Sequence, residues 1–157
     1  MTAGVPPGGG TDGLTHDAFV SYRRSDPDRA WVTQRLVPAL RASGVRVLLD
    51  EDDFRLGEPL VLAMTRAVER SRYTVAVLTP AYLASSYTEL ESLMAEHLGL
   101  ENAQSRLIGV MRETVAPRLS LRLHIWLDMT DDSGFDTAVA RLAREVVLPW
   151  PETGAIP

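Results

Sequence analysis

Short apolar runs alternate along this chain with longer stretches in which apolar residues recur every three or four positions. The runs are 17–22 (DAFVSY), 45–50 (VRVLLD), 73–79 (YTVAVLT), 106–112 (RLIGVMR) and 123–129 (LHIWLDM). Several are apolar almost throughout, as in strands covered on both faces of a parallel sheet. Between them, 26–43, 59–71, 86–99 and 134–147 carry helical periodicity. In the first of these, Asp26 can cap the helix, Pro27 suits the first helical position and Gly44 ends it. Val32, Leu36, Ala39 and Leu40 form its inward stripe, and Pro38 predicts a kink. Strand, helix, strand, repeated, predicts an α/β domain: a flavodoxin-like, doubly wound sheet of about five parallel strands in the order 2-1-3-4-5, flanked by helices.

The pattern fades at both ends. Residues 1–15 are mostly Gly, Pro and Thr and read as a flexible tail. Residues 149–157 read as a linker stump or tail, since PWPETGAIP is too rich in proline to continue a helix. The domain is therefore expected over 16–148, as one module of a larger protein.

Composition narrows the chemistry. The chain has 157 residues, 45% of them hydrophobic, which suits one domain with a real core. A net charge of −5 argues against a nucleic-acid binder, which shows a basic face. Cysteine is absent, so thiolate catalysis and cysteine–zinc sites are excluded. No apolar run approaches a membrane span and the N-terminus lacks the features of a signal peptide, so a cytoplasmic protein without membrane contact is expected. His16, His97 and His124 lie far apart without metal-ligand spacing, so no metal site is expected. Neither a Walker loop nor a GxGxxG or GxSxG motif is present.

Ligands of doubly wound sheets bind beyond the carboxyl ends of the strands. Candidate positions are therefore Ser21 to Arg24, Asp50 to Gly57, and Thr79 to Glu91. Arg23 and Arg24 offer guanidinium forks for a pyrophosphate, or partners for Asp26, Asp28 or the acidic run 50–53. Asp50, ending the second strand, could meet a ligand hydroxyl or simply solvate its loop. Phe54 and Arg55 are expected at an exposed loop tip, shaped by Gly57 and Pro59. Trp31, Trp126 and Trp150 are assigned to packing. On helix 86–99 the wheel turns Leu90, Leu93, Met94, His97 and Leu98 inward. Glu89 and Glu91 flank that arc at roughly 100° to either side of Leu90, and Glu96 lies outside it.

DAFVSYRRSD, VLLDEDDFRLGEPL, VAVLTPAYLASSYTELE and LHIWLDM together resemble, in order and spacing, the conserved boxes of Toll/interleukin-1 receptor (TIR) domains, in particular bacterial ones. The resemblance covers about 16–148. It implies two alternative activities. One is an NAD+ glycohydrolase that releases nicotinamide and ADP-ribose or a cyclic isomer, as the effector of a defence protein, with NAD+ as substrate and no cofactor. The other is a non-enzymatic module that signals by TIR–TIR contact. By family spacing Tyr87 stands at the tryptophan of Ser-x-Trp-Cys-x-x-Glu, Ser85 at its serine and Glu91 at the catalytic glutamate; a gapped alignment would choose Glu89. Tyr22, Arg23, Arg24, Asp50, Ser85 and Tyr87 are then the implied substrate-binding residues. The loop with Phe54, Arg55 and Gly57 is the BB loop, which gates the pocket or touches a neighbouring TIR domain, so a homo-oligomer is expected when active.

Overall fold

The computed structural model describes residues 13–115 and 126–149. Most of the two expected tails, residues 123–125 of the fifth run (with His124) and Trp150 lie outside the described residues.

Five parallel strands form one sheet in the order β2-β1-β3-β4-β5, as the alternating pattern predicts. They are β1 (His16–Ser21), β2 (Val47–Leu48), β3 (Ser71–Leu78), β4 (Leu107–Met111) and β5 (Leu127–Asp128). Central β1 and β3 are the apolar runs buried on both faces; Ala18, Val20, Val75, Ala76, Val77 and Leu78 are essentially inaccessible. The strand β2 is shorter than run 45–50 because the chain turns at Asp50 into a four-residue helix, α3 (Asp50–Asp53). The described part of β5 is likewise only two residues long.

The first helical segment is one continuous spiral of three kinds: α1 (Asp28–Trp31), a π-turn (Val32–Leu36) and α2 (Val37–Ala42). Where Pro38 predicts a kink, the structure shows this π-turn. The Val37 amide bonds to the Val32 carbonyl, five residues back, which widens the helix just ahead of the ring. Pro27, expected at the first helical position, is instead the N-cap of α1, and Asp26 stands one residue before it, where its Oδ1 accepts from Ala30 N–H at 3.1 Å. Gly44, at φ +91°, closes the helix in a conformation that side chains resist. Val32, Leu36 and Leu40 are buried as expected, with Ala39 half-buried.

The remaining α-helices of the described residues are α4 (Leu60–Arg70), α5 (Pro80–Ser85), α6 (Tyr87–Leu98), α7 (Leu100–Ser105) and α8 (Phe135–Val146). Two apolar cores result, one on each face of the sheet. One joins Trp31, Leu36 and Leu40 to Phe135, Val139 and Leu142. The other joins Phe19, Ala67 and Val68 to Tyr82, Tyr87, Leu90 and Met94. His97, expected on the inward arc of α6, is exposed instead. An imidazole is cheap to leave in water, and its Nε2 sits 3.4 Å from Glu96 Oε2 while Leu98 is half-buried.

Candidate functional site

A cleft of about 160 Å³ opens at the carboxyl end of β1. Ser21, Tyr22 and Arg24 line it from the strand exit, Leu60 and Met64 from α4, and Ser85, Ser86 and Glu89 from the start of the α5–α6 region. The sheet order explains the place: β1 is central, with β2 on one side and β3 on the other, so the chain leaves it between two diverging connections.

Beneath the cleft a polar lattice ties the β1 exit to the end of β2. Tyr22 Oη donates to Asp50 Oδ1 at 2.7 Å and to Glu51 Oε2 at 3.0 Å. Burial, then these two carboxylates, push the phenol far above its usual pKa, so it remains a donor. Arg24 forms an ion pair with buried Asp50 through Nε. Arg29 grips Glu51 with two hydrogen bonds, at 2.7 and 2.8 Å, and this guanidinium holds the Glu51 carboxyl below its usual range. Asp50 is thus a structural acceptor as well as a candidate for ribose contact.

The arginine pair divides. Arg24 lines the cleft but is already engaged by Asp50. Arg23 is half-buried, is not among the cleft's lining residues, and makes no hydrogen bond or ion pair with the described residues.

The floor between α5 and the sheet is a second buried network. Ser21 Oγ and Tyr82 Oη lie 2.9 Å apart, and Thr79 Oγ1 donates to buried Asp28 Oδ2 at 2.6 Å. Thr79 also caps α5, accepting from Tyr82 N–H at 3.1 Å. Thr79→Val keeps the shape of the side chain but removes both bonds. It is expected to lower unfolding free energy by about 1–3 kcal/mol, as measured in urea, because a buried carboxylate loses a donor and a helix loses its cap.

The two glutamates part as the wheel requires. Glu89 is exposed and lines the cleft; Glu91 is half-buried on the far side of Leu90 and is not among the cleft's lining residues. Glu91 has an interaction partner of its own. Tyr87, expected against the substrate, is buried in the core with its ring centroid 6.0 Å from that of Tyr82. Ser85 lines the cleft.

The loop after β2 corrects one expectation. Phe54 is not at an exposed tip: it is half-buried and stacks on Phe19 at 6.2 Å. The exposed apolar side chain there is Leu56, followed by Leu60, Val61 and Leu62 on the first turn of α4. Arg55 is exposed, and Gly57 takes φ +83° at the exit of the loop. Leu60 and Met64, absent from the sequence-based site, had a legible signal only in their helical spacing of four, which places them on one face.

A family model described as TIR domain matches residues 18–143. Toll-like receptor 6 of Homo sapiens is 30% identical over 139 residues, which covers 88% of this chain. The 2′ cyclic ADP-D-ribose synthase BtTIR of Bacteroides thetaiotaomicron is 26% identical over 76 residues, covering 48% of this chain and 26% of the synthase. The crystal structure of the TIR domain of the Toll-related receptor TRR-2 from Hydra magnipapillata superposes with a TM-score of 0.71 at 20% identity, covering 85% of this chain and 100% of that one. This chain spans only 16% of the length of the Toll-like receptor.

Proposed function

This chain belongs to the TIR domain family, and from that premise we propose that it is a bacterial-type NAD+ glycohydrolase, with Glu91 as the catalytic carboxylate. The observation that carries the reading is the cleft at the β1 carboxyl end, where Tyr22, Arg24 and Ser85 converge beside the two-glutamate turn of α6. The match to a cyclic ADP-D-ribose synthase supports the same chemistry. In NAD+ the nicotinamide leaves as a neutral molecule from a pyridinium, so the leaving group needs no general acid, unlike an ordinary glycoside. One carboxylate suffices to stabilise the ribosyl cation or to hold the ribose hydroxyls. Water then gives ADP-ribose, and capture by the substrate's own adenosine portion gives a cyclic isomer.

Glu91 is preferred on register and environment. It keeps Ser85, Tyr87 and the glutamate in the family spacing, and it is half-buried whereas Glu89 is exposed. A carboxylate shielded from water acts more strongly on a developing charge. The position of Glu89 in the cleft favours Glu89 instead, so the two are to be tested side by side.

The cleft of about 160 Å³ falls well below the roughly 300–1,000 Å³ of small-ligand pockets, so it can take only part of a dinucleotide. Opening of the loop around Phe54–Gly57, or a neighbouring TIR domain, would complete it. The testing experiment is incubation of concentrated protein with NAD+ and measurement of nicotinamide; release that rises faster than linearly with protein concentration is the expected result. No release at any concentration, with or without crowding agent, would count against the enzyme.

The second reading, a non-enzymatic assembly module, is favoured by one observation: Leu56, Leu60, Val61 and Leu62 form an exposed apolar stretch. Leu56→Glu tests it. Leu56 is fully exposed, so the substitution should change stability by no more than about 0.5 kcal/mol. It should nevertheless abolish self-association in sedimentation, and under the enzyme reading it should also remove the concentration dependence of turnover.

A further inference from the structure

The last residue of β1 carries a hydroxyl on the cleft side of the sheet. Ser21 and Phe19 are two residues apart on one strand, so their side chains share a face, the one covered by α4, α5 and α6. Both line the cleft, together with residues of all three helices. On its other side Ser21 Oγ meets Tyr82 Oη at 2.9 Å. The serine thus stands between an open cleft and a closed core: Ser21 is 8% exposed and Tyr82 0%.

Two hydroxyls in one contact hold two protons, and only one proton can lie between them. If Ser21 donated, the Tyr82 proton would have no acceptor. Its hydroxyl makes no other hydrogen bond among the described residues, and its side chain is closed to solvent. A buried donor without a partner costs the full desolvation of that group. If Tyr82 donates, the phenol is satisfied and the serine proton is released towards the cleft, where a ligand can accept it. The second order wins. Burial also pushes the phenol well above its usual pKa, so Tyr82 keeps the proton it donates. Accepting that bond polarises the serine O–H and makes it the stronger donor.

We infer that Tyr82 is a positioning residue of the cleft: it fixes Ser21 Oγ–H as a donor to an oxygen of the bound substrate. Ser21 thereby recognises an acceptor rather than an ammonium or an amide N–H. With NAD+ as substrate that oxygen belongs to the ADP-ribosyl portion or to the nicotinamide carboxamide, and the inference rests on the reading of this cleft as an NAD+ site.

The test is a double-mutant cycle on the full ¹⁵N-labelled chain, with ADP-ribose and nicotinamide as separate probes, each titrated to about 10 mM and followed by the amide shifts of the cleft. One probe should bind about 3- to 10-fold more weakly to Ser21→Ala. It should bind about 2- to 5-fold more weakly to Tyr82→Phe, which keeps the ring in the core and loses only the hydroxyl. Once Ser21 is alanine, Tyr82→Phe should add less than about 1.5-fold, since it acts only through that serine. The other probe should bind every variant as it binds the parent. If Ser21→Ala fails to fold, Ser21→Cys takes its place in the cycle, with similar size and only a weak S–H donor. A Tyr82→Phe effect that persists in the Ser21 variant, or that falls equally on both probes, is that of a structural residue and would overturn the inference. So would unchanged binding in Tyr82→Phe, or a parent that binds neither probe. Turnover is not read in this cycle. Coupled binding in a chain that releases no nicotinamide from NAD+ would keep the inference and count against the enzyme; release with uncoupled binding would do the reverse.

Discussion

Glu91→Ala is expected to reduce nicotinamide release by at least about 10²–10³-fold in kcat, a loss of about 3–4 kcal/mol of transition-state stabilisation. Glu89→Ala is expected to leave kcat within about threefold and to act mainly on KM, because its carboxylate stands in water, where its field is screened. The comparison works because the two side chains share one helix turn and one chemistry but not one environment. Both sit near the first turns of α6, so both reach the carboxyl edge of the sheet; only Glu91 is half-buried. Circular dichroism and the thermal midpoint of each variant must remain those of a folded chain for the kinetics to be read. Loss confined to Glu89→Ala would move the catalytic register two residues back, to the carboxylate that lines the cleft. Full activity in both variants would remove the carboxylate mechanism altogether and leave any release without an α6 glutamate.

The topology was legible because its signals are local. Apolar runs such as 73–79 cannot face water on either side, and the four helical patterns supply the covering layers. Pairings across the fold were not legible in the same way. The acidic run 50–53 offers four carboxylates to Arg24, and nothing local distinguishes them; burial of Asp50 at the end of β2 does. The bond from Thr79 to Asp28 joins residues 51 positions apart and has no trace in either neighbourhood. Phe54 shows the same limit from the other side. An aromatic in a polar loop reads as exposed until the stack on Phe19, set by the return of the chain towards α4, draws it inward. For the glutamates the pattern is symmetrical by construction, since Glu89 and Glu91 flank Leu90 equally. Only the tertiary position of α6 separates them, one to the cleft and one to partial burial.

Leu90→Ala is expected to lower unfolding free energy by about 2–5 kcal/mol, and the urea midpoint by about 1–2 M. Leu90 is 0% exposed, in the core that includes Phe19, Tyr82, Tyr87 and Met94, so the deleted carbons leave a cavity that an α/β sandwich closes poorly. Leu62→Ala, on exposed α4 surface, is the matched control and should shift stability by no more than about 0.5 kcal/mol. The same leucine fixes the rotation of α6 about its axis, and therefore which glutamate meets the cleft. Turnover of Leu90→Ala, measured in the cold where the variant is still folded, carries the functional half of the prediction. A fall in kcat there, with KM and fold retained, would mean that catalysis depends on the helix being held at one angle. Unchanged kcat in a chain several kcal/mol less stable would mean that the local turn from Ser85 to Glu91 positions the carboxylate without help from the core.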